Sequence, residues 1–158
     1  MRRSQRGASE PEPGPGEWTL EVYERLDGSM PYVAFAQSLD ACQRLVLDIA
    51  VRTFLARQGH NVCGTEWGKA LGQGLYEFRI RRTLRVIAAK AGAEIPAGIN
   101  PDQKILLRVF FAVEGARIVL LLSGYDKGAN PSEKRQDREI KLARTLLREH
   151  RERQRRAR

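Results

Sequence analysis

Two apolar runs set three residues apart constrain this chain more than anything else in it. They are ILLRVFFAV at 105–113 and RIVLLLSGY at 117–125, joined by Glu114-Gly115-Ala116. Each is strand-sized, and a short Gly-containing connection between two such runs reads as a hairpin. The second run is apolar at odd and even positions alike, so both of its faces need cover. It belongs inside a sheet, with packed structure above and below.

The flanking patterns supply that cover. Trp18, Leu20 and Val22 alternate with Thr19, Glu21 and Tyr23, which predicts a first strand. After the turn DGSMP, Ser29 can cap and Pro31 suits a first helical turn, with Val33, Ala36 and Leu39 at helical spacing. Asp40 then caps a second helix whose inward stripe is Cys42, Leu45, Val46 and Ile49, and Gly59 stops it. HNVCGTEWGKALGQG reads as a loop leading into the strand LYEFRI. A short helix is expected near 83–91, stopped by Gly92, followed by a loop to about Gln103. Asn130-Pro131 opens a long last helix with Ile140, Ala143 and Leu147 inward. The order is strand, helices, three strands, helix: an α+β domain with a small antiparallel sheet, N-terminal helices and a C-terminal helix.

Both ends read differently from this domain of 17–149. Residues 1–16 carry no large apolar side chain after Met1 and are rich in Pro, Gly and charge, so they are expected to be disordered. HRERQRRAR at 150–158 reads as a solvated basic tail, too polar to pack.

Charge narrows the function. With a formal net charge of +9 in 158 residues, the chain calls for a polyanionic partner, and nucleic acid, an acidic protein or an anionic membrane surface would each fit. No run is long enough to span a membrane, and no apolar stretch follows Arg2, Arg3 and Arg6 to make a secretory leader. The only two cysteines, Cys42 and Cys63, make no disulfide framework and suit a reducing cytoplasm. With His60 and His150 they do not complete a tetrahedral metal site, and no metal or cofactor is expected.

The candidate site residues sit on strands. In LYEFRIRR, Tyr76, Phe78 and Ile80 share one strand face, while Glu77, Arg79 and Arg81 share the other. That polar face is either a solvated exterior or a cationic surface that grips phosphates. Arg108 interrupts the otherwise uncharged ILLRVFF, which is expensive unless it pairs with a carboxylate such as Glu77 or opens to a cleft. If the two strands pair, Arg79, Arg81 and Arg108 converge, and phosphate oxygens would relieve their repulsion. Tyr125, Asp126 and Lys127 cluster at a strand end, the usual place for functional groups. His150 reads as a surface residue and His60 as a loop cap.

LGQGLYEFRIR, ILLRVFFAVEGARIVLLLSGYDKG and PSEKRQDREIKLARTLL together resemble the RelE/HigB toxins of bacterial toxin–antitoxin systems, nearest the phage-derived HigB-like branch. The resemblance runs over about residues 17–148, and its four short motifs, LGQGLYEFR, RVFF, IVLLLSGYDK and REIKLAR, stand in the family's order. It implies a RelE-like fold and a metal-independent, ribosome-dependent endoribonuclease that cuts messenger RNA. The partners it implies are a cognate helix-turn-helix (HigA-like) antitoxin, the ribosome and, through the antitoxin, operator DNA. Arg108 matches the family's strand arginine, and Arg79 joins it as a phosphate clamp. Lys127, Tyr125 and Asp126 are the closest catalytic candidates; Arg81, Glu77, Lys69 and Arg82 are the expected RNA contacts. Glu77 stands where RelE-like enzymes carry a basic residue, and the insertion at 82–104 replaces a tight turn. A noncatalytic RNA- or DNA-binding regulator, or an inactive relative of the toxins, is the competing expectation.

Overall fold

The computed structural model describes residues 17–157. The segment 1–16, expected to be disordered, lies outside the described residues.

Strand β1 (Thr19–Val22) leads through a Ser29-closed turn to helix α1 (Pro31–Gln37). Met30, not Ser29, occupies the cap position of α1, because the Ser29 hydroxyl is spent on Asp27. Helix α2 (Ala41–Ala50) opens with a reciprocal capping box: the Asp40 carboxylate accepts from Gln43 N, and the Gln43 side chain accepts from Asp40 N. The helix widens through a π-helical turn at Val51–Leu55 and closes in the short α3 (Ala56–Gln58). Gly59 ends it at φ +56, with the Trp18 ring so close that a Cβ there would stand 2.3 Å from it. A 3-10 segment follows at Gly59–Gly64.

Strands β2 (Gly68–Gly72) and β3 (Leu75–Ile80) form a hairpin where the sequence suggested a loop before a single strand. Helix α4 (Leu84–Ala91) is capped by Thr83 and ends at Gly92 in the left-handed conformation, in agreement with the sequence. Strands β4 (Leu107–Glu114) and β5 (Ile118–Asp126) make the expected hairpin, and α5 (Glu133–Ala157) closes the chain.

The five strands lie in the order β1-β5-β4-β3-β2. Two hairpins, β2–β3 and β4–β5, joined antiparallel through the α4 connection, bring the chain from the β2 edge to β5, and β1 adds beside β5 in parallel, with Thr19 opposite Ile118. The sheet is therefore mixed, which corrects the antiparallel expectation. Strand patterning reports faces, not direction, so an edge strand's polarity was not there to be read. The architecture is α+β, a mixed sheet between two helical layers.

One face packs on α1, α2 and α4. Its core holds Phe78, Ile80, Leu107, Val109, Phe111, Val119 and Leu121 of the strands against Phe35, Leu39, Val46, Leu55 and Ile87. Gly124 permits this closeness: a Cβ there would meet the Phe35 ring at 2.6 Å and the Arg108 carbonyl at 2.8 Å. The opposite face packs Leu75, Phe110, Ala112, Leu120 and Leu122 against Ala143, Leu146 and Leu147 of α5.

Helix α5 does not give way to a loose tail at residue 150. His150 Nε2 meets Glu114 Oε2 at 2.6 Å, and Arg153 donates to the Glu24 carbonyl at 2.6 Å while lying over the Tyr23 ring. Glu149 accepts from Tyr23 OH and pairs with Arg25. The segment packs through hydrogen bonds rather than apolar burial, which a hydropathy reading does not register. His150 is accordingly half-buried, not a free surface residue.

Candidate functional site

The α5 face of the sheet changes character along its length. Towards the β2–β3 and β4–β5 turns it is apolar; towards the other end it is charged. In register, Arg79, Arg108 and Tyr125 stand side by side across β3, β4 and β5, and Glu77, Phe110 and Ser123 form the next row. Directly opposed side chains share a face about 4.5–5.5 Å apart. A β-bulge puts the β5 members there: Phe110 pairs with Ser123 but Phe111 with Leu121, so Leu122 has no partner in the register. The extra residue shifts the alternation, so that Ser123 and Tyr125 share the α5 face with Leu120 and Leu122.

Glu77 is the hub, with a side chain that is 0% exposed. Its Oε1 accepts from Arg79 Nε at 2.9 Å. Its Oε2 stands 3.7 Å from Arg108 Nε, an ion pair without a hydrogen bond. The Arg108 side chain is only 7% exposed and that of Arg79 23%, so the pair opens to solvent chiefly through Arg79. Arg108 Nε and Nη1, Glu77 Oε2, Ser123 Oγ and Tyr125 OH are all buried without a hydrogen-bond partner among the described residues. Two guanidiniums face one carboxylate here, an uncompensated positive charge in a place where charge is costly. Burial pulls the Arg108 pKa below its ordinary value, with Glu77 opposing and Arg79 adding to the fall. Burial likewise raises that of Tyr125, against the pull of Arg108.

The first turns of α5 cover this end. Arg135, held by Glu139 at 2.7 Å, lies over the Tyr125 ring, whose other close ring neighbour is Phe110 in parallel offset. Lys127 Nζ donates to Gln136 Oε1 at 2.8 Å.

Of the residues singled out in the sequence, Glu77, Arg79, Arg108 and Tyr125 are brought together, while Lys127 is bonded to Gln136, the neighbour in α5 of the Arg135 that covers Tyr125. Asp126 is not: its carboxylate accepts from Gln43 Nε2 at 2.8 Å and from Ala129 N at 3.1 Å, tying α2 to the loop after β5. Adjacent strand residues point to opposite faces, so Tyr125 and Asp126 never shared one. Tyr125, 2% exposed, has no free face for a nucleobase. Arg81 is exposed just past the end of β3, near enough for its charge to be felt at Arg108. Arg82 is exposed and pairs with Glu66; Lys69 is exposed on edge strand β2, in register with Glu77. His60 lies edge-on to Trp18 and tilted against Tyr76, far from a loop-cap role in its contacts. Sequence reasoning missed Ser123, Arg135, Gln136 and Glu139. Ser123 was visible as the polar break in an apolar run, and Arg135/Glu139 as a pair at i, i+4.

Among the described residues no group of three His, Cys, Asp or Glu side chains stands ready for a metal ion, and no helix is long and apolar enough to cross a membrane. No family model, no curated protein and no solved structure matches the chain.

Proposed function

We propose that the charged end of the sheet binds the phosphodiester backbone of RNA, and that the chain is a ribosome-dependent messenger-RNA endonuclease of the toxin type its sequence resembles. One observation carries the binding step: Arg79 and Arg108 converge on a single carboxylate, leaving buried Arg108 N–H groups without an acceptor. A phosphate supplies charge and acceptors together, in the planar geometry a guanidinium prefers. Arg79, the more exposed of the two, meets the phosphate first, and Arg108 lies behind it.

The reaction in this reading is transesterification. The ribose 2′-oxygen attacks the adjacent phosphorus, its proton leaves to a base, and the bond from phosphorus to the 5′-oxygen breaks as that oxygen is protonated. Preorganised cations stabilise the charge that gathers on the phosphoryl oxygens. Lys127 is the proton-exchanging group best placed for the rim. Asp126 is turned away, and Glu77 acts by orienting the two arginines rather than by touching the ribose. With so sparse an acid–base set, the ribosome would do much of the positioning. A helix-turn-helix antitoxin, and operator DNA bound through it, complete the set of partners.

The burial of Glu77 and Tyr125 favours a second reading, a noncatalytic RNA- or DNA-binding module. One experiment separates them. The chain and its Arg79→Ala and Arg108→Ala variants are expressed in a bacterium, growth and transcript ends are followed, and folding is checked by melting temperature. Endonuclease action requires growth arrest with new ends inside coding regions, lost in both folded variants. Normal growth at full soluble expression overturns it and leaves the binding module.

A further inference from the structure

Helix α5 concentrates the charge of the chain. Its 25 residues carry ten basic and five acidic side chains, a surplus of five against +9 for the whole sequence. Three of the acids are drawn into ion pairs, while Glu133 and Asp137 stay exposed in the first turns, Asp137 beside Lys134 and Lys141. Glu139 is engaged by Arg135, Glu149 by Arg25, and Glu152 by Arg155 and Arg156. Lys134, Arg138, Lys141 and Arg148 are exposed, on the side of the helix opposite Ala143, Leu146 and Leu147, and have no ion-pair partner among the described residues. Their spacing of four, three and seven keeps them in one line about 21 Å long. Arg144 and Arg151 lie beside that line and fix the helix to the β2–β3 turn, donating to the carbonyls of Leu71, Gly72 and Gln73. The ridge is therefore straight and held in place.

Like charges at i, i+3 and i, i+4 weaken a helix, and a face meant only for solubility would interleave acids along its length; here Asp137 is the one acid beside the line, and none stands on it from Arg138 to Arg148. A protein partner would want an aromatic or apolar anchor at the centre of its contact. Thr145 is the only uncharged residue on the outward line between Arg138 and Arg148. Nor does the ridge carry an aromatic ring on which unpaired bases would stack. What remains is a rigid row of cations suited to a rigid row of phosphates.

We infer that the outward ridge of α5, Lys134, Arg138, Lys141 and Arg148, docks on the backbone of double-helical RNA without reading its sequence. The inference shares RNA as its ligand class with the preceding reading but uses none of the Arg79–Arg108 cluster. Binding of the full chain to a short RNA duplex of arbitrary sequence, followed by fluorescence anisotropy across a salt series, tests it. In a variant with Lys134→Gln, Arg138→Gln, Lys141→Gln and Arg148→Gln, the slope of log affinity against log salt should shrink by about three to four, roughly one per lost phosphate contact. Helix content by circular dichroism should be unchanged. Equal slope and affinity in native and variant proteins overturns the inference. So does binding to polyglutamate that exceeds duplex binding and vanishes in the variant, which would mark an acidic protein partner. The difference in slope between native and ridge-variant proteins should persist when both also carry Arg79→Ala. If the native chain neither arrests growth nor cuts transcripts while the slope difference persists, the endonuclease reading falls and the ridge stands.

Discussion

The two faces of the sheet solve different problems with the same strands. Towards α1, α2 and α4, every inward strand residue of β3 and β4 is apolar, and the layer closes tightly enough that Gly124 has no room for a methyl group. Towards α5 the packing is apolar over half its length, then gives way to Glu77, Arg79, Arg108, Ser123 and Tyr125. The first face leaves only neutral ring nitrogens of Trp18 and His60 without a hydrogen-bond partner among the described residues, and no charge. The second holds buried charged donors and acceptors without hydrogen-bond partners among the described residues, and it is on this local inconsistency that the proposed phosphate site rests.

The sharpest way to break this contrast is at its hub. Glu77→Gln should cost about 3–5 kcal/mol by leaving two guanidiniums without a counter-charge, comparable with about 3–5 kcal/mol for Phe78→Ala on the other face. The two losses differ in kind. Added phosphate should raise the melting temperature of Glu77→Gln and do nothing for Phe78→Ala. If phosphate leaves both variants alike, the charged end is sealed against anions and the phosphate-binding reading fails.

Gly124→Ala comes next, at about 1–3 kcal/mol from overpacking against Phe35 and the Arg108 carbonyl. The strain falls on the apolar face, so RNA binding per folded molecule should stay at the native level. A parallel loss of binding would show that the two faces are mechanically coupled.

A smaller effect, about 1–2 kcal/mol, is expected for His150→Ala, which removes a charge-assisted hydrogen bond at the apolar end of α5. Glu114 is held below its ordinary carboxylate value, chiefly by that hydrogen bond and against the opposing effect of burial. Its contribution is therefore fully present above the ordinary value and disappears as the pH falls through the lowered one. The difference in melting temperature between native protein and variant should shrink over that acidic window. A constant difference would mean that His150 matters for packing alone.

Least of all, Arg108→Met should move stability by less than about 1 kcal/mol, since Glu77 keeps Arg79 and an apolar chain replaces an unsatisfied charge. Function should nonetheless be lost. A drop of several kcal/mol would make Arg108 a structural partner of Glu77 and remove the main support for a phosphate site.

The sequence made some of this legible and hid the rest for physical reasons. The Asp40 cap, the Gly92 stop and the β4–β5 hairpin are local devices, written in adjacent residues, and were read correctly. Strand β2 was not, because GKALG is Gly-bounded and without β-branched residues, and it becomes a strand only through its pairing with β3. The convergence of Arg79 and Arg108 followed from alternation and pairing. The company of Tyr125 and Ser123 depended on the bulge at Leu122, which alternation alone does not announce. The burial of Glu77 is a property of the α5 layer, not of LYEFRIRR.

The parallel seating of β1 beside β5 has a consequence for how the molecule comes into being. Thr19 and Ile118 meet across roughly a hundred residues of chain, so their contact requires closing a loop that contains almost the whole domain. The β4–β5 hairpin closes a short turn and β3 joins β4 across residues 81–106, both far shorter than the span from β1 to β5, so these strands can form first, while β1, the earliest strand to be made, has no seat until β5 exists. The sheet is built backwards relative to synthesis. Refolding should accordingly show an early phase that protects the amides of β3, β4 and β5 from hydrogen exchange, and a later one for β1.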